Sequence, residues 1–346
     1  MATGERTLDD RAADGGGRHD RAPSGGAPED RTRRGTTLQD SALEDTVAAA
    51  RKGDRRATAR LLTVLENDTP AAPALAGLVK GGEAQVVGIT GSPGVGKSTL
   101  VSALIGAWRA QGLRVGVLAV DPSSPFSGGA ILGDRVRMAD HALDPGVYIR
   151  SIATRGHLGG LAATTGAGVR LLEGLGFDVV IVETVGVGQA EVEIASLADT
   201  TLLLLAPGMG DGIQAVKAGV VEIADVYVVN KADRPGADGT VRDLKAMMSL
   251  VRREPGEWRQ PVCTTVASEA KGVDELIAAI GKHHDWLAEG DRLADQRRRR
   301  AAAEIRARVD AALRERFKVT EALAEAVASG ETDVASAARS VLGDTG

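Results

Sequence analysis

Residues 91–98 read Gly91-Ser92-Pro93-Gly94-Val95-Gly96-Lys97-Ser98 and carry the strongest signal in the chain. They fit G-x-x-x-x-G-K-[ST], the phosphate-binding loop, between the apolar run Val86–Ile89 and a segment of helical composition that begins at Ser98 and Thr99. Glycines let backbone N–H groups close around a polyphosphate, and the helix N-terminus adds its positive dipole end. The pattern places Lys97 at the β and γ phosphate oxygens and the Ser98 hydroxyl at Mg²⁺. The sequence therefore predicts a nucleoside triphosphate site.

Composition narrows the class of protein. The length of 346 residues allows about two domains, and the net charge of −5 argues against a nucleic-acid binder. A single cysteine, Cys263, excludes an intrachain disulfide and fits a reducing cytoplasm. No apolar run approaches the ~20 residues of a membrane-spanning helix, and residues 1–35 contain no apolar core of a signal peptide. We therefore expect a cytoplasmic protein without a membrane or nucleic-acid partner.

Seven apolar runs alternate with helix-like segments from Gln85 to Ala288. The runs are Val86–Ile89, Val115–Val120, Val147–Ile152, Val179–Val182, Thr201–Ala206, Val226–Val229 and Val262–Val266. Runs without polar alternation, each followed by a helix, indicate an α/β fold with a mostly parallel sheet covered on both faces. Ligands of such sheets bind at the carboxyl ends of the strands. We therefore expect a P-loop NTPase, with its site residues just after these runs.

The segments outside the sheet are predicted to form three further regions, two before the nucleotide-binding domain and one after it. Residues 1–36 contain almost nothing to bury and are predicted to be a disordered leader. Residues 37–82 are predicted to form an N-terminal helical element, with a helix stop at Gly53 and a cap at Asp54. The nucleotide-binding domain then spans 83–289.

Residues 290–346 are predicted to form a C-terminal helical arm, because large apolar side chains recur there at helical spacing. These positions are Ile305, Val309, Leu313 and Phe317. The run Arg297–Arg300 is interpreted as a solvated helix face, since the chain as a whole is acidic.

Acidic residues close two of the apolar runs. Asp121 ends the second run and is placed for Mg²⁺ or its bound waters, although an Asp that caps a turn gives the same pattern. Glu183 ends the fourth run as a Walker-B acid does, and Gly186 follows where it can offer its N–H to the γ-phosphate. Asp134 supplies another carboxylate on a segment that we expect to move. The sequence leaves open whether Asp134 or Glu183 orients the attacking water.

The sixth run ends in Asn230-Lys231-Ala232-Asp233, which fits the N-K-x-D pattern of guanine recognition. The Asp233 carboxylate accepts two N–H donors that guanine has and adenine lacks, so adenine would leave a buried acceptor unpaired. The seventh run leads into the loop Val266-Ala267-Ser268, where guanine-binding proteins usually have a serine in place of Val266. A backbone N–H of this loop can still contact guanine O6. The chain is therefore predicted to bind GTP and GDP with Mg²⁺.

Together these motifs resemble the MeaB/ArgK family of SIMIBI-class P-loop GTPases. The resemblance covers residues 40–345, and its most discriminating part is the block from Asp121 to Met138, D-P-S-S-P-F-S-G-G-A-I-L-G-D-R-V-R-M, which generic GTPases lack. It also includes T-R-G-H-L-G-G-L from Thr154 and V-E-T-V-G-V-G-Q from Val182. By resemblance, Asp121, Asp134 and Glu183 match the family's acidic Mg²⁺ and switch residues.

The resemblance also implies a partner. Family members are G-protein chaperones of adenosylcobalamin-dependent acyl-CoA mutases such as methylmalonyl-CoA mutase, and their C-terminal arm makes a homodimer. Residues 207–214 match the extra switch loop that communicates with the mutase, with Met209 where the family usually has a small residue. The resemblance therefore implies GTP hydrolysis, with Lys97 and either Asp134 or Glu183 as catalytic residues.

Three alternatives remain at this point. A metal-insertion GTPase of the same class would carry histidine tracts or cysteine pairs, whereas this chain has five scattered histidines and one cysteine. A kinase linked to amino-acid transport would transfer phosphate to a binding protein. A scaffold would bind the nucleotide without turnover.

Overall fold

The computed structural model describes residues 41–67, 69–121, 141, 143–153, 160–184, 190–208, 223–250, 254 and 256–343. Residues 43–346 group into one compact unit. The predicted leader 1–36 lies outside the described residues. None of the helices in the described ranges is long and apolar enough to cross a membrane.

Strands and helices alternate through most of the chain. The helices are α1 (41–51), α2 (Arg55–Glu66), α3 (Ala72–Leu78), α4 (Lys97–Ala110), α5 (Gly160–Gly174), α6 (Ala190–Leu197), α7 (Ala237–Met248), α8 (Val273–Ala288), α9 (Arg292–Arg316), α10 (Glu321–Ala328) and α11 (Val334–Leu342). The strands are β1 (Gln85–Thr90), β2 (Val115–Asp121), β3 (Val147–Ala153), β4 (Val179–Thr184), β5 (Thr200–Leu205), β6 (Val226–Asn230) and β7 (Val262–Thr265).

The seven strands form one sheet in the order β3-β2-β4-β1-β5-β6-β7, and each described pair is parallel. This confirms the predicted α/β class and all seven predicted runs. Strand β1 lies in the middle, between β4 and β5, and its register places Ile89 beside Glu183. The phosphate-binding loop therefore leaves the centre of the sheet, next to the acidic end of β4.

Apolar side chains pack on both faces of the sheet, because alternate residues of a strand point to opposite sides. On one face, Val87 and Ile89 pack with Leu100 and Leu104 of α4. On the other face, Val86, Val180 and Val182 belong to a cluster that also contains Leu61, Leu62 and Leu75 of α2 and α3. Helices α1 to α3 thus share the core of the sheet instead of forming a core of their own.

The predicted stop and cap between the first two helices are confirmed. Gly53 has a φ of +93°, which suits glycine at the end of a helix. The next residue, Asp54, caps α2 through its side chain, which accepts hydrogen bonds from Arg56 N (2.8 Å) and Ala57 N (3.0 Å).

Helix α9 has 25 residues and packs against α5, α6 and α8 through its first half. Farther along, its large apolar residues Ile305, Val309 and Leu313 are exposed. The interpretation of Arg297–Arg300 as a solvated face is correct for Arg298, whose side chain is 70% exposed, and wrong for Arg300, whose side chain is 9% exposed. Arg300 is buried because it pairs with a carboxylate of α5, a contact between residues far apart in sequence.

Candidate nucleotide site

The loop from Gly91 to Gly96 joins β1 to α4 and is built from positive-φ glycines. Gly91, Gly94 and Gly96 have φ values of +144°, +81° and +97°. A Cβ on Gly91 would collide with the carbonyl oxygen of Leu204, and one on Gly96 would lie 2.5 Å from Nδ2 of Asn230. Glycine is therefore required at both positions by backbone conformation and by space.

The ammonium group of Lys97 is held inside this loop. Its Nζ donates to the carbonyl oxygens of Gly91 (2.7 Å) and Ser92 (3.2 Å), and the residue is buried. A buried cation at the first residue of α4 adds to the positive end of the helix dipole. The loop therefore concentrates positive potential where the sequence pattern places a polyphosphate.

The Ser98 hydroxyl meets the predicted Walker-B acid. Ser98 Oγ donates to Glu183 Oε1 at 2.8 Å, and both residues are buried. Thr184 Oγ1 donates to Thr90 Oγ1 at 3.1 Å, so the ends of β4 and β1 are also joined by buried hydroxyls. The sequence reasoning missed this threonine pair, and its signal is a hydroxyl residue as the last position of each strand.

Three predicted site residues are described only in part or not at all. Asp121 ends β2, whose neighbour in the sheet is β4, but its side chain is not described. Asp134 and Gly186 lie outside the described residues, as do residues 209–214 of the predicted switch loop. The described structure therefore brings together Lys97, Ser98 and Glu183 among the predicted catalytic and metal residues.

Asn230 and Lys231 connect the predicted base-recognition motif to the phosphate-binding loop. Asn230 Nδ2 donates to Val95 O (2.9 Å), and Lys231 Nζ donates to Gly94 O (2.6 Å). Lys231 has a φ of +57°, an uncommon conformation for a residue with a side chain. The loops at the ends of β1 and β6 are thus held together before any ligand is considered, while Asp233 at the end of the motif is exposed.

The loop after β7 completes the base side of the site. Asn230 Oδ1 accepts from Thr265 Oγ1 (3.0 Å) and Ala267 N (3.2 Å), and Val266 N donates to Lys271 O (3.0 Å). Internal bonds therefore use the N–H groups of Val266 and Ala267. Within the described part of the chain, the N–H of Ser268 has no such bond. Ser268 is consequently the residue of the predicted trio whose backbone donor is available to a base.

A glycine-rich phosphate loop, a hydroxyl–carboxylate pair at its foot and an N-K-x-D motif bonded to the same loop define a P-loop protein of the GTPase class. Comparison with known proteins agrees with this class. The family model described as "Methylmalonyl Co-A mutase-associated GTPase MeaB" matches residues 58–322.

Individual relatives give the same result. A putative GTPase of Pyrococcus abyssi is 51% identical over 269 residues, which cover 76% of this chain and 83% of the relative. The GTPase ArgK of Escherichia coli is 36% identical over 278 residues, with 78% and 84% covered. The crystal structure of an LAO/AO transport system kinase superposes with a TM-score of 0.66 at 28% identity, and the match covers 87% of this chain and 96% of that one. The chain belongs to the MeaB family of GTPases.

Proposed function

We propose that this GTPase assists an adenosylcobalamin-dependent acyl-CoA mutase, such as methylmalonyl-CoA mutase, by gating cofactor loading or by protecting and reactivating the enzyme. The observation that carries the proposal is the match of residues 58–322 to a family described as mutase-associated. The proposed location is the cytoplasm, and the proposed ligands are GTP and GDP.

Hydrolysis in this proposal depends on positioning and electrostatics. Lys97 would move its Nζ from the Gly91 and Ser92 carbonyls to the phosphate oxygens and stabilise negative charge that develops on them in the transition state. Such a transfer needs only a rotation of its flexible side chain, because the ammonium already lies in the loop. A water molecule would be oriented by a carboxylate, either Asp134 or Glu183.

The residues at the foot of the loop fit a magnesium ion. Ser98 Oγ and Glu183 Oε1 are hard oxygen ligands, and Mg²⁺ in nucleotide sites is held by one or two such groups together with phosphate oxygens. We propose that Ser98 holds the ion, with Asp121, Asp134 and Glu183 as its acidic ligands, directly or through water. When bound, Mg²⁺ would neutralise charge on the phosphates.

The mutase proposal is tested by titrating methylmalonyl-CoA mutase from the same organism into a GTP hydrolysis assay. We expect turnover to rise several-fold as the mutase saturates the GTPase, and the affinity for the mutase to differ between the GTP and GDP forms, since such coupling is reciprocal. Asp211→Ala and Gln214→Ala in the predicted switch loop should blunt the stimulation, whereas the exposed-site control Asp274→Ala should not. Unchanged turnover and equal affinity in both nucleotide forms would contradict this function.

A second candidate is phosphate transfer to a binding protein of an amino-acid transport system. The likeness of this chain to the crystal structure of a transport system kinase favours it. Incubation with GTP labelled at the γ-phosphate distinguishes the two functions, because a kinase leaves label on protein whereas a GTPase releases it as inorganic phosphate. We expect release. A nucleotide-binding scaffold would give neither product.

We also propose a homodimer formed through α9. Ile305, Val309 and Leu313 lie four residues apart and form an exposed apolar stripe, which a second copy would cover. The variant I305E/V309E should be monomeric by light scattering, because two carboxylates would have to be buried in the interface. Arg314→Glu, exposed and five residues from Val309, lies on another face of the helix and should keep the dimer. A monomeric unmodified chain would contradict the proposal.

A further inference from the structure

Helices α5 and α6 link the two edges of the sheet. In a parallel sheet the helix after a strand starts at the carboxyl edge, where the nucleotide site lies, and runs back to the amino edge. Helix α5 starts at Gly160 after β3 ends at Ala153, and α6 starts at Ala190 after β4 ends at Thr184. Their 15 and 8 residues correspond to about 22 Å and 12 Å of helix. Each helix therefore has one end at the nucleotide edge and one at the opposite edge.

Arg300 of α9 bonds to the far ends of both helices. Its Nη1 donates to the carbonyl oxygen of Leu197, the last residue of α6, at 3.3 Å. Its Nη2 donates to both carboxylate oxygens of Glu173, near the end of α5, at 3.2 and 3.3 Å. One buried guanidinium thus joins the C-terminal helix to α5 and α6 together.

The neighbouring turns of α9 extend this attachment to β1. Gln296 Nε2 donates to the carbonyl oxygens of Ala198 (2.9 Å) and Asp199 (3.0 Å), which directly follow α6. Arg297 Nη2 lies 3.4 Å from Asp199 Oδ2, and the same oxygen accepts the backbone N–H of Val86 at 3.0 Å. Val86 belongs to the strand that leads into the phosphate-binding loop, so α9 is attached to the beginning of β1 as well as to the two helices.

We call the set Arg170, Glu173, Asp199, Arg297, Arg300 and Glu304 the basal ion cluster. It contains three arginines and three carboxylates, and Arg170 pairs with Glu304 on the α5 side. Burial raises the pKa of both Glu173 and Glu304, although the nearby arginines oppose the shift. Desolvation therefore offsets much of the attraction within the cluster, and small displacements of α5 or α6 can change how strongly α9 is held.

We propose that the basal ion cluster couples the nucleotide state to the position of α9. Because α5 and α6 are short helices, a displacement of their ends at the nucleotide edge also moves their other ends. Arg300 is hydrogen-bonded to those other ends, and Gln296 is hydrogen-bonded to the residues that follow α6. The exposed stripe at Ile305 and Val309 begins little more than one turn after Arg300, so a change at the cluster moves the surface that α9 presents. This coupling rests on the proposed binding of GTP and GDP and does not depend on the mutase proposal.

The test combines hydrogen–deuterium exchange with nucleotide affinity on the full chain. With GDP and with the non-hydrolysable analogue GMPPNP bound in turn, we expect amides of residues 292–304 to exchange at rates that differ at least about threefold between the two states. Arg300→Met should abolish the difference. Because linkage is reciprocal, the same variant should change the ratio of GMPPNP to GDP affinity at least about threefold.

Two further variants keep the test decisive. Gln296→Leu removes only two hydrogen bonds to the segment after α6, so it should fold even if Arg300→Met does not, and it should reduce the exchange difference and change the affinity ratio in the same direction. Arg298→Met, two residues from each and on the exposed side of the helix, should leave both quantities as in the unmodified chain. The proposal is overturned if exchange over 292–304 is the same in both nucleotide states. It is equally overturned if the affinity ratio is unchanged in Gln296→Leu and in any folded Arg300→Met, which would make the cluster a structural anchor only.

Discussion

The two edges of the sheet both bury charged groups, but they use them differently. At the carboxyl edge, Lys97 donates to backbone carbonyl oxygens and Glu183 accepts from a hydroxyl. At the amino edge, Arg300 and Glu173 form a buried pair within a cluster of equal positive and negative charge. The first edge carries the groups to which the sequence pattern assigns the nucleotide, whereas the second pairs arginines with carboxylates within the protein. Substitutions at the carboxyl edge should therefore affect turnover. Those at the amino edge should affect stability, its pH dependence and, at the basal ion cluster, the ratio of GMPPNP to GDP affinity.

The largest effect is expected from Lys97→Ala. Loss of the ammonium should lower GTP turnover by roughly 10²–10³-fold, in the range found when a single group that stabilises transition-state charge is removed. Binding of GTP should weaken more than binding of GDP, because the pattern places Lys97 at the β and γ oxygens. Phosphate release and calorimetric titration measure both effects. The exposed-site control Lys80→Ala should behave as the unmodified chain, and equal turnover in the two variants would remove Lys97 from the site.

An intermediate effect is expected from Gly96→Ala. The added Cβ would lie 2.5 Å from Asn230 Nδ2, in a backbone conformation that already strains an alanine by about 1–3 kcal/mol. Because that amide joins the base motif to the phosphate-binding loop, GTP affinity should fall by about 10–100-fold, which corresponds to about 1.4–2.8 kcal/mol.

The matched control for this substitution is Gly112→Ala. Gly112 also has a positive φ, +82°, but a Cβ there meets nothing within 4 Å. It should lower stability by about 1–2 kcal/mol without any change in GTP affinity. Equal loss of affinity in both variants would show that the contact between the two loops is unimportant.

A smaller effect, on the pH dependence of stability, is expected from a second pair of buried titratable residues at the amino edge, His283 and Asp225. His283 Nδ1 and Thr200 Oγ1 share a hydrogen bond of 2.9 Å, and His283 Nε2 lies 3.4 Å from Asp225 Oδ1. The rings of Trp258 and Trp286 lie 4.7 and 5.7 Å from the imidazole. Burial raises the pKa of Asp225 to about 7 and lowers the pKa of His283 to about 4, with a further contribution from the charge of His284.

These two shifts act on stability with opposite signs. The raised pKa of Asp225 gives stability that is present below pH 4 and is lost as the pH rises toward 7. The lowered pKa of His283 gives stability that is present above pH 6.5 and is lost as the pH falls toward 4. Between pH 4 and 6.5 they nearly cancel. Asp225→Asn leaves only the histidine contribution, so its stability should fall by about 2–3 kcal/mol from pH 6.5 to 4.5 relative to the unmodified chain. Urea unfolding at both pH values measures this difference. The exposed control Asp274→Asn should show none, and a pH-independent Asp225→Asn would contradict the assigned pair.

The carboxyl edge could be predicted from the sequence because its features are local. A glycine-rich loop, a strand-end acid and an N-K-x-D motif are each written in a few consecutive residues, and a parallel sheet brings strand ends together. The contact of Ser98 with Glu183 follows from that rule. The hydrogen bond from the Val266 N–H to the Lys271 carbonyl oxygen does not follow from that rule, since it depends on how the chain returns after β7.

The amino edge could not be predicted, because its contacts join residues far apart in the chain. Arg300 lies 127 residues from Glu173 and 103 from Leu197, and no spacing in the sequence marks either pair. A run of four arginines favours solvent exposure on composition alone. The fold instead turns Arg297 and Arg300 toward the domain and leaves Arg298 outside, since residues three apart on a helix share a face.

The central claim is that this chain hydrolyses GTP in the Gly91–Ser98 loop and selects guanine through Asp233. The most direct measurement compares turnover of GTP, ATP and XTP by the unmodified chain and by Asp233→Asn. The unmodified chain should prefer GTP over ATP by at least about tenfold, which corresponds to the 1.5–3 kcal/mol of a hydrogen bond to a charged group. Asp233→Asn should move the preference toward XTP, because an amide presents a donor where the carboxylate presented an acceptor. Equal turnover of ATP and GTP by the unmodified chain would contradict the claim.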